Sequence, residues 1–140
     1  MTLLATAATE RRPAKAAVLA LWGTLWLVNA LWMLADPAGW YAGVDGVSNT
    51  GPYNPHFVRD IGLAYLTVAL LVFGAIRWAR HAVPLLGAGA LFLGLHALLH
   101  VWDIAAGRLP MEHMLMDMPG VFLPPLLAAL LTWWCAPARP

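Results

Sequence analysis

At 140 residues the chain is one domain, and a hydrophobic content of 61% with a mean hydropathy of +0.71 is too apolar for an ordinary soluble fold. A net charge of +1 gives no reason to invoke nucleic acid, and the lone Cys135 excludes an intramolecular disulfide. A spanning helix needs about 20 apolar residues. Four such stretches, near 14–34, 55–80, 82–106 and 119–136, predict an all-α integral membrane four-helix bundle, with connecting segments 36–54 and 107–118 on one side.

Arg11, Arg12 and Lys15 precede the first stretch, whose apolar run exceeds the roughly 7–15 residues of a signal-peptide core and ends in Asp36-Pro37 without a clear small-x-small cleavage site. It is therefore expected to remain as helix one. Its one deep polar residue, Asn29, should face the bundle and hydrogen-bond another element, because an unpaired amide is expensive in lipid. The segment 36–54 is long for a connector and rich in turn formers, yet its tryptophan, tyrosines and valines argue for a lid packed on the bundle.

Asn54 is a good N-cap and Pro55 suits the first helical position, which fixes the start of helix two. His56, Arg59 and Asp60 then share one face of its opening turns, either as an interfacial capping cluster or as part of a site. Helix three contains Gly87, Gly89, Ala90 and Gly94, small residues that permit close helix approach. Beyond them stand His96, His100 and Asp103; at about 100° per residue, His100 falls roughly 40° from His96 and Asp103 roughly 20° to the other side, so the three form one stripe. Before helix four, His113 lies among Met111, Met114, Met116 and Met118, Asp117 is a candidate N-cap, and Pro124-Pro125 should kink the helix.

Orientation follows from the cations. Arg11, Arg12, Lys15, Arg77, Arg80 and Arg139 fall on one side and only Arg59 and Arg108 on the other, so the positive-inside rule places both termini in the cytoplasm of a bacterial-type inner membrane. Trp40, Trp78, Trp102, Trp133 and Trp134 fall near the predicted interfaces and are expected as membrane-belt anchors.

Ionisable groups inside a bilayer are costly and mark candidate sites. Asn29, His56, Arg59, Asp60, His96, His100, Asp103, His113 and Asp117 collect in the outer half of the bundle, predicting an outward-facing pocket. Two histidines at i and i+4 can ligate one ion, and Asp103 with His113 would complete a copper, zinc or iron set, the methionines favouring copper. Asn29, Asp60 and Asp117 would orient imidazoles or bind ligand with His56, and Arg59 would neutralise a carboxylate or hold an anion. A small polar ligand is the variant of the same reading. Haem has less support: His96 and His100 on one helix cannot both be axial ligands, and there is no Cys-x-x-Cys-His sequence.

Two other classes stay open. Proton handling fits the Asp, His and Arg inventory, but the inner half lacks a matching path. An accessory or assembly subunit of a larger membrane complex, or of a homo-oligomer, would use the same residues as interhelical glue. No Ser-His-Asp order, phosphate loop or nucleotide motif points to a particular enzyme.

The stretch Asn54-Pro-His-Phe-Val-Arg-Asp-Ile-Gly62-Leu-Ala-Tyr65, together with the size, four helices, long first connector and histidine-rich end of helix three, resembles the small DoxX-like four-helix membrane proteins of bacteria. The resemblance covers most of the chain and implies that architecture. It carries over no catalytic or binding residue.

Overall fold

The computed structural model describes the backbone of residues 2–137 and the side chains of residues 13–137. Among these the fold is helical without strands: α1 (Thr2–Ala35), α2 (Pro37–Gly43), α3 (Pro55–Arg77), α4 (Ala82–Ala105), α5 (His113–Met116) and α6 (Leu123–Cys135), with single 3-10 turns at Val47–Asn49 and Ala79–His81. Four segments, Pro13–Ala35, Pro55–Arg77, Ala79–Ala105 and Met118–Cys135, are long and apolar enough to cross a membrane. The side chains of Arg11, Arg12 and Arg139, which enter the orientation argument, lie outside the described residues.

The four long helices run antiparallel in a row, α1 against α3, α3 against α4 and α4 against α6. One end, here the cap end, carries residues 36–54 and 106–117; the other carries the short α3–α4 turn. The row folds round until α1 and α6 meet at that other end, where the Lys15 ammonium donates to the Trp134 carbonyl at 2.6 Å and stands 5.3 Å from the Trp134 ring centre.

Two apolar clusters hold the row together. Nearer the cap end, Trp26, Ala30 and Met33 of α1 pack with Val58, Tyr65, Val68 and Ala69 of α3, Leu93 of α4 and Ala128 of α6. At the other end Leu19, Val72, Ala75, Ala82 and Leu86 form the second. The closest backbone approach is not at the α4 glycines. A Cβ at Gly62 of α3 would stand 3.0 Å from the Met33 Cβ, whereas one at Gly89 would make ordinary contact with Val68 at 3.5 Å and one at Gly94 would touch nothing within 4 Å. Gly62 is thus what lets α1 lie against α3. Outward, Leu21, Leu25, Val28, Leu63, Leu70, Leu91, Leu95 and Leu98 form a belt of exposed apolar side chains far larger than water tolerates.

Asn54 caps α3 as expected, its Oδ1 accepting from His56 N at 3.0 Å and Phe57 N at 3.3 Å. Asn54→Ala should therefore cost about 1 kcal/mol, the usual value of an N-cap, read as a small fall in the thermal midpoint of the detergent-purified protein. The Pro124-Pro125 disturbance takes a particular form: Met118–Phe122 is a π-helical turn that runs directly into α6, and the two prolines in the first turn of α6 supply no N–H donors to the carbonyls before them.

Trp78, Trp102 and Trp133 project outward as belt residues should. Trp40 does not: its indole N–H turns inward and donates to Asn29 Oδ1 at 3.0 Å. The deep amide of α1 needs an acceptor's partner inside the fold, and α2 supplies it. That bond pins the 36–54 segment down as a lid.

Candidate functional site

Under the lid lies a cavity of about 1100 Å³ whose walls come from α1, α2, the 44–54 segment, α3, α4 and the Met116–Pro124 stretch. Most of the lining is apolar or aromatic: Trp22, Leu25, Trp26, Met33, Trp40, Val58, Ile61, Tyr65, Val121 and Pro124 contribute. Aromatic stacking organises it. Trp26 lies flat on Tyr65 with ring centres 4.9 Å apart, Tyr65 meets His96 edge-on at 6.1 Å, and His96 in turn meets His100 at 4.9 Å.

The polar end is built around Asp117. One oxygen, Oδ2, accepts from His100 Nδ1 at 2.8 Å and from His113 Nδ1 at 3.1 Å. The carboxylate is only 8% exposed, and His113 and His100 only 1% and 13%. A buried carboxylate can accept but not donate, so both imidazoles carry their proton on Nδ1. In the neutral ring His113 Nε2 is then an acceptor, and the Asn49 amide of the lid donates to it at 3.1 Å. The chain Asn49 to His113 to Asp117 to His100 is hydrogen-bonded throughout, and among the described residues His100 Nε2 has no partner.

Local sequence explains why these groups meet. His96 and His100 stand one turn apart near the end of α4, and His113 and Asp117 repeat the i, i+4 spacing around α5. Asp117 is no N-cap: its side chain bonds no backbone N–H of the following turn and is committed to the two histidines instead. The lid reaches α5 through Gly46, whose φ of +82 lets the chain turn with its Cα hard against Met116 and His113. A Cβ there would fall 2.7 Å from the Met116 sulfur.

Of the residues predicted for the site, His96, His100, Asp117 and Asn29 line the cavity. His113 stands directly behind Asp117, with both ring nitrogens engaged, so neither is free for a metal. Asp103 points elsewhere, its Oδ1 3.0 Å from Arg108 Nη1. His56 and Asp60 pair with each other at 3.4 Å on the exposed opening turn of α3, and Arg59 Nε donates to the Leu34 carbonyl at 3.3 Å. Asn29 bonds Trp40 and contacts the Met33 sulfur rather than an imidazole. Among the described residues, no three His, Cys, Asp or Glu side chains form a group that could hold a metal ion.

Sequence reasoning passes over Asn49 and Tyr65. Tyr65 is buried on the cavity wall, and neither its hydroxyl nor either nitrogen of His96 has a hydrogen-bond partner among the described residues. Trp26 Nε1 is likewise buried without an acceptor. Among the described residues no Lys or Arg lines the cavity, and Asp45 and Asp117 are its formal charges. Set against family models, curated proteins and solved structures, the chain matches none.

Proposed function

We propose that the chain is a multi-pass protein of a bacterial-type inner membrane, both termini cytoplasmic, that binds a small amphipathic molecule in the cavity with its polar end against His96 and His100. The observation that carries this is a single space of about 1100 Å³ with apolar and aromatic walls and a few convergent polar groups, the pattern of small-molecule sites. Asp117 fixes the His100 tautomer, so Nε2 presents a lone pair at the polar end. The exposed leucine belt supports a lipid setting, and Lys15, Arg77 and Arg80 at the end opposite the lid support a cytoplasmic assignment for that end. The DoxX-like resemblance enters the proposal as architecture only.

The test is saturable quenching of tryptophan fluorescence by a terminally brominated undecanol in detergent micelles, since Trp22, Trp26 and Trp40 line the cavity. His100→Ala should weaken binding about tenfold, the worth of a lost buried hydrogen bond. Unchanged affinity would remove the reading. A second reading, a metal held by His96 and His100, is favoured by their ring centres lying 4.9 Å apart; it predicts stoichiometric metal in protein purified without chelators, lost in the double alanine variant. A stoichiometric larger protein retained in mild detergent would instead favour an accessory subunit.

A further inference from the structure

A site between helices needs an entrance, and in this fold the entrance and the rest of the ligand are written along one seam. The two helices at the ends of the row, α1 and α6, are bonded at the end away from the lid, by Lys15 and Trp134, while farther toward the cap end Leu25 of α1 and Val121 and Pro124 of the α6 stretch are walls of the cavity itself. Between these points a second, smaller hollow of about 200 Å³ follows the seam. Its lining is wholly apolar, Leu21, Trp22, Leu25, Leu127 and Leu130 among it, and it shares Trp22 and Leu25 with the large cavity. From Leu25 back to Val18 it follows α1 for about 10 Å. Leu21, Leu25, Leu127 and Leu130 are all strongly exposed, so the seam opens sideways to whatever surrounds the belt.

The polar end narrows the head. With its Nδ1 proton on Asp117, the neutral His100 ring presents Nε2 as an acceptor, which takes a donor from the ligand. The Tyr65 hydroxyl and the His96 ring, without hydrogen-bond partners among the described residues, can each donate and accept. With no Lys or Arg among the described residues of the lining and two carboxylates, Asp45 and Asp117, an anionic head would meet net negative charge and be repelled.

We infer that the ligand is a single-chain lipid with an uncharged hydroxyl head: the hydroxyl donates to His100 Nε2, and the alkyl chain leaves the cavity between α1 and α6 and lies in the apolar seam. The inference rests on the cavity reading given above and adds the head chemistry, the tail path and the lateral route of entry. The seam adjoins the cavity, Trp22 and Leu25 lining both, and this adjacency is what assigns the seam to the same molecule's tail. A phosphate-headed lipid would bring its negative charge to an end that offers two carboxylates and, among the described residues, no Lys or Arg.

The experiment uses the full chain in phosphatidylcholine nanodiscs and two probes of equal chain length, a monoalkyl glycerol and a monoalkyl phosphate, each with a photoactivatable diazirine at the tail end. Labelled positions are mapped by mass spectrometry. Expected is labelling by the glycerol probe on the facing stretches of α1 and α6, competed by unlabelled alkyl glycerol, and at least about tenfold weaker labelling by the phosphate probe. Leu127→Trp should fill the seam and reduce that labelling about tenfold, the factor that an overpacking penalty of ~1.4 kcal/mol corresponds to. Leu21→Trp does the same from the facing wall, and both positions are exposed, so at least one variant folds. Equal labelling by the two probes overturns the head assignment. Labelling elsewhere, or insensitive to both tryptophans, overturns the tail path. In either case His100-dependent quenching by the brominated undecanol leaves the cavity reading standing, and its absence brings down that reading separately.

Discussion

Replacing Asp117 by alanine is expected to destabilise the protein by about 2–5 kcal/mol, among the largest effects available at any polar position in the chain. The carboxylate serves two imidazole N–H donors through one oxygen, and all three groups are buried or nearly so. Alanine leaves both donors facing a cavity with no acceptor, each at a cost of about 1–3 kcal/mol. The measurement is unfolding of the detergent-purified protein by SDS titration, followed by tryptophan fluorescence. Asp117→Asn should cost less, because one oxygen remains to accept, but its amide N–H groups would press against an imidazole N–H. His113→Leu combined with Asp117→Leu should cost less than the two changes summed, since removing both partners leaves fewer orphaned donors. A loss within about 0.5 kcal/mol for Asp117→Ala, the range of ordinary surface substitutions, would mean that the bridge carries no structural weight. The same variant frees the His100 tautomer, so the affinity for the brominated undecanol should fall with it.

The helices were legible in the sequence because what makes them is local. Four long apolar runs broken by Pro, Gly and charge place the long segments to within a few residues, and Asn54-Pro55 marks the start of α3 through chemistry contained in two positions. The candidate site was legible only as a neighbourhood. His96 and His100 follow from helical spacing alone, but the partners of a polar group depend on which loop folds back over it. Asp103 shares the histidine stripe by angle, yet Arg108 lies five residues on and the α4 terminus turns the two toward each other. His113 and Asp117 carry the same i, i+4 signal as the paired histidines, which is enough to suggest that they bond each other. Nothing in that spacing tells that Asp117 also reaches His100 or that Asn49 closes the far side. Trp40 looks like a belt residue by depth, and the demand of Asn29 for a donor decides otherwise. Asp103 and His113 are metal-ligand types, but the fold commits Asp103 to Arg108 and His113 to Asn49 and Asp117.

Gly46→Val should unlatch the lid. The residue has φ +82, a backbone conformation that a β-branched side chain adopts only under strain, and a Cβ there meets the Met116 sulfur at 2.7 Å and His113 Cε1 at 3.0 Å. The sulfur ends a flexible side chain and can move, but His113 is held on both sides by Asn49 and Asp117 and cannot give without breaking a bond. Strain and clash together amount to about 3 kcal/mol. Only the local closure of residues 44–50 opposes them, because the four-helix row does not depend on that segment, so the lid rather than the whole protein should open. Hydrogen exchange would detect this as a rise of about a hundredfold at the amides of Asn49 and Thr50, whose backbone bonds to Gly46 and Val47 close the 3-10 turn, with α3 and α4 unchanged. Gly46→Ala should give a smaller rise, and adding Met116→Ala should recover the part of it due to the sulfur while leaving the part due to backbone strain. The opened lid withdraws Asn49 from His113 Nε2 and exposes the polar end of the cavity to water, so binding of the brominated undecanol should weaken in step with exchange across this series. If exchange rises and affinity stays fixed, the lid is a cover without influence on the site; if both move together, the Asn49–His113–Asp117–His100 chain is the route by which closure reaches the ligand.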